Sequence, residues 1–301
     1  MQPRNKRDKL WNCIKDVRMR YVSLWRTLFN WHKNRKLTYH FLTLDDVRQQ
    51  YKKSDTIFIL GGGESINEIT LEQWEYIAKH DSFGMNWWPV HKFVPTFYYT
   101  NYPRLSSPRN RLADMVQSRR EDYSKTVFFV SYNRALQRGI HPRVFPEFFS
   151  QNPLCCYYDC NLPIKLEKNR AFEEQSFRKT LLYRGGLSLL LDLVNKLGYK
   201  NIILMGIDLI NAVHFYDTYS QMQWMFEEEY SSPIEYKRNQ MQSTMKTKNN
   251  TKLPMDQYIY AVNRYYFKPR NINLFIGSPK SILAKEIPVF LFNLTAEKRK
   301  K

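Results

Sequence analysis

The sequence predicts an open, mostly parallel α/β sheet with helices on both faces. Two observations support this fold class: apolar segments of strand length alternate with segments of helical period, and most strands end in small or polar residues. The clearest case is the apolar run 56–60, which stops at three glycines before a helical pattern begins. With 301 residues, of which 43% are hydrophobic, the chain can bury a sizeable core.

The remaining elements follow in order along the chain after a predicted linker over residues 33–53. Strands are predicted at 56–60, 82–88, 96–101, 126–132, 201–205 and 272–276. Helices are predicted at 71–79, 109–119, 187–197 and 255–267, with a short one at 280–285. The stretch 141–180 is aromatic and has no clear period, so no element is predicted within it.

Four segments make up the predicted domain organisation. Residues 1–40 read as a basic amphipathic helix, in which the first 36 residues hold eleven Lys or Arg against two Asp. A single domain is expected over 54–290, with a polar, Met-rich and glycine-free lid at about 218–252 and a basic tail over 291–301. The alternative for residues 1–40 is an ordinary amphipathic helix docked on the domain with solvated charges.

The net charge limits the classes of binding partner to consider, and the cysteine content indicates the cellular compartment. A net charge of +19 fits an anionic membrane, an acidic substrate or nucleic acid, but no nucleic-acid-binding motif is visible. No apolar run of about 18 residues or signal peptide is present. Cys13, Cys155, Cys156 and Cys160 form neither a disulfide framework nor a zinc pattern. We therefore expect reduced thiols and a cytoplasmic protein held peripherally at the inner face of the membrane, with room for an oligomer.

The glycine run after the first predicted strand is the first candidate for ligand binding. Glycines let backbone approach a ligand closely, and a following helix N-terminus presents N–H groups to an anion. A phosphate-bearing ligand is the first hypothesis, and close packing of strand against helix is the alternative. Other candidates follow other strand ends, where parallel sheets bind ligands. They are Asn86, Thr100, Asn101, Asn133, Gly206, Asp208 and Ser278.

Three ordered blocks of the chain resemble bacterial lipooligosaccharide sialyltransferases and related sialyltransferase-like glycosyltransferases of surface-polysaccharide loci. The blocks are Gly-Gly-Gly-Glu-Ser-Ile-Asn-Glu-Ile at 61–69, Gly-Tyr-Lys-Asn-Ile-Ile-Leu-Met-Gly-Ile-Asp-Leu at 198–209 and Asn-Leu-Phe-Ile-Gly-Ser-Pro-Lys-Ser-Ile-Leu at 273–283. Their order and spacing hold over roughly residues 55–290. Motility-linked glycosyltransferases and a pterin diphosphokinase group share part of this pattern and are the alternative enzymes.

The resemblance implies an inverting transfer of sialic acid, Kdo or a related sugar from a CMP-activated donor to a glycan or glycolipid. It also implies a Rossmann-like domain, the sialyltransferase-type variant of the GT-A fold, with a flexible lid. No cofactor or metal is expected, which agrees with the absence of an Asp-x-Asp motif. The matching nucleotide-binding positions are Gly61, Gly62, Gly63, Ser65, Asn86, Asn101, Arg184, Gly185, Gly186, Gly206, Asp208, Tyr216 and Ser278.

Two departures from the family pattern bear on the chemistry. Gly62 replaces a family Asn, and the segment 249–254, where the family has its catalytic His, contains no His. His214 is the first candidate for the catalytic base, because a base works best with a pKa near neutrality. Asp217 and the acidic run Glu227-Glu228-Glu229 are the alternative bases. The alternatives are a structural role for His214, a turn-stabilising role for Asp208 and a surface ion pair for Arg184. A non-enzymatic nucleic-acid- or membrane-binding protein is the remaining alternative function.

Overall fold

A computed structural model describes residues 40–100, 106–131, 152–157, 159–160, 180–183, 185–210, 213–222 and 253–292. Within these residues, eight strands form one sheet in which every neighbouring pair is parallel. Its strands are β1 (His40–Leu42), β2 (Thr56–Leu60), β3 (Asp81–Met85), β4 (Phe97–Tyr99), β5 (Val127–Ser131), β6 (Pro153–Tyr157), β9 (Asn201–Met205) and β10 (Asn273–Ile276). Two short strands, β7 (Asp159–Cys160) and β8 (Thr180–Leu181), pair separately.

Helices cover both faces of the sheet, which confirms the predicted fold class. They are α1 (Leu44–Gln50), α2 (Leu71–Ala78), α3 (Ser106–Ser118), α4 (Arg120–Tyr123), α5 (Gly185–Lys196) and α6 (Met255–Val262). Ile57 and Ile59 of β2 pack in one core with α5 and α6, whereas Phe58 and Leu60 pack in a second core with α2 and α3. All four are fully buried, as expected for a parallel strand covered on both sides.

The predicted linker over 33–53 is wrong from residue 40 onward, because β1 and α1 lie there. The missed signal is a capping box: the Thr43 side chain accepts from Asp46 N, and the Asp46 carboxylate accepts from Thr43 N. Strand β6 lies in the stretch 141–180 where no element was predicted. Its five residues sit between β1 and β5, so tertiary pairing stabilises a segment with no clear period of its own.

Several predicted segments lie outside the described residues. They are the amphipathic helix over 1–40, apart from His40 at the start of β1, the lid from residue 223 to 252 and the tail from residue 293. No helix in the described part of the chain is long and apolar enough to cross a membrane.

The order of strands places a topological switch point between β2 and β9. Along the sheet the strands run β1-β6-β5-β4-β3-β2-β9-β10, so the chain proceeds outward from β2 on one side and from β9 on the other. The loops that leave β2 and β9 therefore diverge at the carboxyl edge of the sheet. In open α/β sheets, ligands bind in the crevice at such a point.

Candidate active site

A cleft of about 390 Å³ opens at this switch point. Its described lining comes from residues 62–63 after β2, 85–87 at the end of β3, 185–187 at the start of α5 and 206–209 after β9, with Val213, His214, Tyr216 and Met255. The sheet topology thus brings together segments that are more than 190 residues apart in the sequence.

The glycine run joins the loop after β2 to the loop after β9. Gly61 N donates to Met205 O and Gly63 N donates to Gly206 O, each at 2.8 Å. A Cβ at Gly61 would lie 2.3 Å from Ile207 Cδ1, so this glycine serves close packing and does not line the cleft. The packing alternative therefore holds for Gly61. Because two N–H groups of the run are bonded to backbone, an anion must find most of its donors elsewhere in the cleft.

Asp208 holds the glycine run from the other side. Its carboxylate accepts from Ser65 N at 3.0 Å and from Ser65 Oγ at 2.5 Å. A Cβ at Gly63 would lie 2.4 Å from Asp208 Oδ2, so the glycine makes this approach possible. The following residue, Leu209, has a left-handed backbone with φ of 57°. Asp208 thus has the turn-stabilising role as well as a position in the cleft lining.

The first turn of α5 faces the cleft. The N-terminal N–H groups of a helix lack intrahelical partners and carry partial positive charge, so they suit a phosphate. Gly185 begins this helix with φ of 70°, and a Cβ at Gly186 would lie 2.6 Å from Tyr99 Cε1. Two glycines therefore allow the helix terminus to lie against the sheet edge. Ser188 Oγ fixes the turn by donating to Gly185 O at 2.9 Å.

Asn86 is the polar side chain that the end of β3 adds to the lining. Its backbone is left-handed, with φ of 54°, a conformation that Asn tolerates better than most residues. Asn86 N donates to Tyr99 O at 2.8 Å, and Asn86 O accepts from the Tyr98 hydroxyl. Since both backbone groups are bonded to the sheet, the side-chain amide is what this residue offers to a ligand.

His214 and Tyr216 lie on a tight turn against the glycine run. Phe215 N donates to Gly62 O at 2.9 Å, and His214 forms an antiparallel bridge with Gly63. Asp217 closes the turn, because its Oδ2 accepts from His214 N at 2.9 Å. The rings of His214 and Tyr216 stack with centroids 5.0 Å apart and an interplanar angle of 24°.

Burial sets the protonation of His214. It lowers the pKa of the imidazole below its ordinary value of 6.5, while the Asp217 charge and a hydrogen bond to the Gly62 backbone act in the opposite direction. The ring is therefore neutral at pH 7. A neutral imidazole can accept a proton from a substrate hydroxyl.

The predicted site residues fall into three groups. Those in the lining of the cleft are Gly62, Gly63, Asn86, Gly185, Gly186, Gly206, Asp208, His214 and Tyr216. Those that do not line the cleft are Gly61, Ser65, Asp217 and Ser278. Asn101 and Arg184 lie outside the described residues.

Ser278 lies in the turn after β10, outside the lining of the cleft. Its own Oγ accepts from Lys280 N at 3.2 Å in the turn after β10. Three residues on, Ser281 Oγ donates to Ile207 O at 2.7 Å, and Ile282 N donates to Asp208 O at 3.0 Å. The loop after β10 thus supports the loop after β9 instead of lining the cleft.

Sequence reasoning missed the apolar part of the lining. This part of the lining includes Met85, Trp87, Leu187, Leu209, Val213 and Met255. Trp87 carried a sequence signal as an aromatic residue next to Asn86, whereas Met255 reaches the cleft from α6. In the described part of the chain, no group of three or more His, Cys, Asp or Glu side chains is placed to hold a metal ion. The expectation that no cofactor is needed stays a prediction.

No protein-family profile matches the sequence, and no curated protein is significantly similar to it. Among solved structures, the chain is similar to the monofunctional alpha-2,3-sialyltransferase Cst-I from Campylobacter jejuni, with 15% sequence identity and a TM-score of 0.46. The match covers 81% of this chain and 82% of that chain. Similarity at this level identifies neither donor nor acceptor, so the function must be argued from the cleft.

Proposed function

We propose that the chain is a glycosyltransferase that transfers sialic acid, Kdo or a related sugar from a CMP-activated donor to a glycan or glycolipid, with inversion. One observation carries the proposal: a single cleft at the switch point joins the N-terminus of α5 to the stacked pair His214 and Tyr216. This pairs donors for a leaving phosphate with a base for an acceptor hydroxyl. The three sequence blocks that resemble lipooligosaccharide sialyltransferases support the choice of donor.

The charge of the cleft favours a single phosphate. Asp208 is the one residue with a formal charge among the described lining residues, which include no Lys or Arg. An anion would therefore be held by the N–H groups at the start of α5 and by the Tyr216 hydroxyl. Such neutral donors suit one phosphoryl charge, whereas a diphosphate calls for a cation or basic side chains.

The proposed reaction is a single displacement with His214 as base. The imidazole takes the proton of the acceptor hydroxyl while the acceptor oxygen bonds to the anomeric carbon. The bond between that carbon and the phosphate oxygen breaks, and its electron pair leaves with CMP. Attack opposite the leaving group inverts the anomeric centre. Asp217 positions the base by accepting from His214 N.

The basic segments of the sequence motivate a membrane-bound setting for this reaction. Residues 1–40 and the tail 291–301 would attract the chain to an anionic inner leaflet, where lipid-linked acceptors are found. We include this peripheral location in the proposal, and liposome sedimentation with and without residues 1–36 tests it. Loss of liposome binding on truncation is expected, whereas RNA binding by the same segment would favour the nucleic-acid alternative.

Nucleotide binding and sugar transfer test the proposed activity. We expect calorimetry to detect CMP but not CDP, UDP, GDP, GTP or ATP, and CMP-sialic acid or CMP-Kdo to be consumed equally with and without EDTA. His214→Ala should lower kcat by about 100-fold or more, the usual contribution of a positioned base. His80→Ala, at the amino end of β3, is the matched control. Binding of GTP or ATP without CMP would favour the pterin diphosphokinase alternative, and loss of turnover in EDTA would contradict the mechanism.

A further inference from the structure

The imidazole of His214 lies against the position where Gly62 lacks a side chain. A Cβ built on Gly62 would be 3.3 Å from His214 Nδ1, and 3.9 Å from both His214 Cε1 and Tyr216 Cε1. The first distance is tighter than ordinary van der Waals contact, so any larger residue would press on the ring. The rings of His214 and Tyr216 thus both lie next to the Cβ position that Gly62 leaves empty.

The backbone conformation of Gly62 does not itself require glycine. Positive φ angles occur at Gly185, Gly198 and Gly206 among the described glycines, and Gly62 is not one of them. An alanine could therefore adopt the same backbone without strain. The space taken by the His214 ring remains the physical reason for glycine at this position.

The backbone around His214 is fixed more firmly than its ring. Phe215 N donates to Gly62 O, His214 N donates to Asp217 Oδ2, and Asn67 Nδ2 donates to Phe215 O at 3.2 Å. A side chain added at Gly62 would therefore displace the imidazole before it displaced the turn. A substitution at residue 62 should therefore change the orientation of the imidazole more than it changes the fold of the loop.

The contact with Gly62 also selects the tautomer of His214. A hydrogen bond with the Gly62 backbone raises the pKa of the imidazole, and Nδ1 is the ring nitrogen nearest to the Cβ position of Gly62. A neutral imidazole that donates through Nδ1–H keeps its lone pair on Nε2, and that lone pair can accept a proton. The nitrogen turned away from the glycine run is then the one available to substrate.

We infer that Gly62 is a positioning residue for the proposed transfer: its carbonyl holds His214 as the Nδ1–H tautomer, and its missing side chain lets the ring present Nε2 as the proton acceptor. The inference rests on the proposed function and specifies which nitrogen performs it. The titratable groups around the ring are Asp217 and Tyr216 on the same turn and Asp208 on the loop after β9.

The pH profile of kcat/KM for Gly62→Ala tests the inference against Gly198→Ala as a matched control. Gly198 has φ of 75° with open space around its Cβ position, so its variant adds backbone strain far from the cleft. For Gly62→Ala we expect kcat to fall roughly 10-fold or more with KM little changed. The acidic limb should move to higher pH, because a ring displaced from its partly buried position is better solvated. An acidic limb and kcat equal to those of Gly198→Ala would overturn the inference.

A direct reading of the tautomer does not depend on turnover or on the stability of a variant. Nitrogen-15 spectra of the histidine rings in the free protein, with His214 assigned from its loss in His214→Gln, should show a protonated Nδ1 and an unprotonated Nε2 at pH 7.5. The reverse tautomer would overturn the inference even if transfer is observed. Absence of CMP-sugar turnover with the expected tautomer would refute the proposed function and leave the contact of Gly62 with His214 standing.

Discussion

The carboxylate of Asp208 accepts two hydrogen bonds from Ser65, one from the backbone N–H at 3.0 Å and one from the hydroxyl at 2.5 Å. This pair joins the loops that leave β2 and β9, the two strands that flank the switch point. The floor of the cleft is therefore held by side chains as well as by the sheet. Ser65 is buried, with 8% of its surface exposed, so water cannot replace the lost partner easily.

Ser65→Ala should destabilise the protein and weaken nucleotide binding together. Loss of a buried hydrogen bond to a charged group costs about 1.5–3 kcal/mol in the free energy of unfolding. Urea unfolding and calorimetric titration with CMP measure the two effects. Ser278→Ala is the control, because its Oγ accepts a single 3.2 Å bond at a partly exposed turn. We expect that variant to stay within about 0.5 kcal/mol of wild type, and equal losses in both variants would contradict the role of Ser65.

Gly186→Ala should move the N-terminus of α5 away from the sheet edge. The added Cβ would lie 2.6 Å from Tyr99 Cε1 and 2.9 Å from Met85 Cε, so the helix or the ring must shift. We expect CMP affinity to fall roughly 10-fold and stability to fall by about 1–3 kcal/mol. Gly185→Ala meets no atom within 4 Å and tests strain alone. Unchanged CMP affinity in Gly186→Ala would argue against phosphate binding at this helix terminus.

The fold could be predicted because strands buried on both faces are continuous apolar runs. Strand β9 was predicted with its observed bounds, Asn201–Met205, and the predicted helix over 255–267 appears as α6 followed by the π-helical turn Asn263–Phe267. Strands β1 and β6 were missed because their stability comes from parallel pairing with each other and with β5. The pairing of β1 with β6 joins segments more than 110 residues apart, which local pattern does not show.

The candidate site was only partly predictable for the same reason. Asn86, Gly206 and Asp208 were singled out because they follow strand ends, and all three lie in the lining of one cleft, whereas Ser278 does not. The hydrogen bonds that occupy Gly61 N and Gly63 N depend on β9 being the neighbour of β2, which no local motif indicates. The place of Gly62 beneath the His214 ring likewise depends on a turn 150 residues later.

A bound phosphate should raise the pKa of His214 and so link binding to proton uptake. In the free protein burial lowers this pKa below 6.5, and a nearby negative charge favours the imidazolium. Binding therefore takes up a proton, and affinity should increase as the pH falls below 6.5 toward the lowered pKa. The methyl ester of CMP is the suitable ligand, because its phosphodiester does not titrate in this range.

Calorimetry in two buffers of different ionisation enthalpy measures that proton uptake. His214→Gln should bind the ester with no proton uptake and with an affinity that changes little between pH 7.5 and 5.5. Asp217→Asn retains the titrating imidazole, so its proton uptake on binding the ester can be compared with that of wild type and of His214→Gln. Equal proton uptake in wild type and His214→Gln would mean that another group titrates with the ligand.

His91 should make the protein sensitive to acid. It is buried at 7% exposure, its Nδ1 accepts from Phe93 N at 3.1 Å, and burial lowers its pKa to about 4, with Lys92 and Arg119 adding to the effect. The unfolded chain binds a proton below pH 6.5 while the native ring does not. Stability should therefore fall by about 3 kcal/mol as the pH drops from 6.5 to 4.

Urea unfolding of wild type and His91→Asn over this pH range measures the contribution. The Asn side chain keeps an acceptor for Phe93 N but does not titrate, so its stability curve should be flatter between pH 6.5 and 4. Parallel curves for the two proteins would show that His91 is not responsible for the loss.

Removing one charge of the buried ion pair between Asp192 and Lys196 of α5 should destabilise the protein more than removing both charges. Lys196 Nζ lies 2.9 Å from Asp192 Oδ2, both side chains are fully buried, and the same carboxylate oxygen accepts from Leu181 N at 2.7 Å. Lys196→Met leaves a buried charge without its cation, which should cost about 3–5 kcal/mol in the free energy of unfolding. The double variant Asp192→Asn with Lys196→Met removes both charges and retains an acceptor for Leu181 N, so it should recover more than half of that loss. Denaturant unfolding of the three proteins measures these differences. A double variant less stable than Lys196→Met alone would show that packing in this core, and not the loss of the cation, determines the destabilisation.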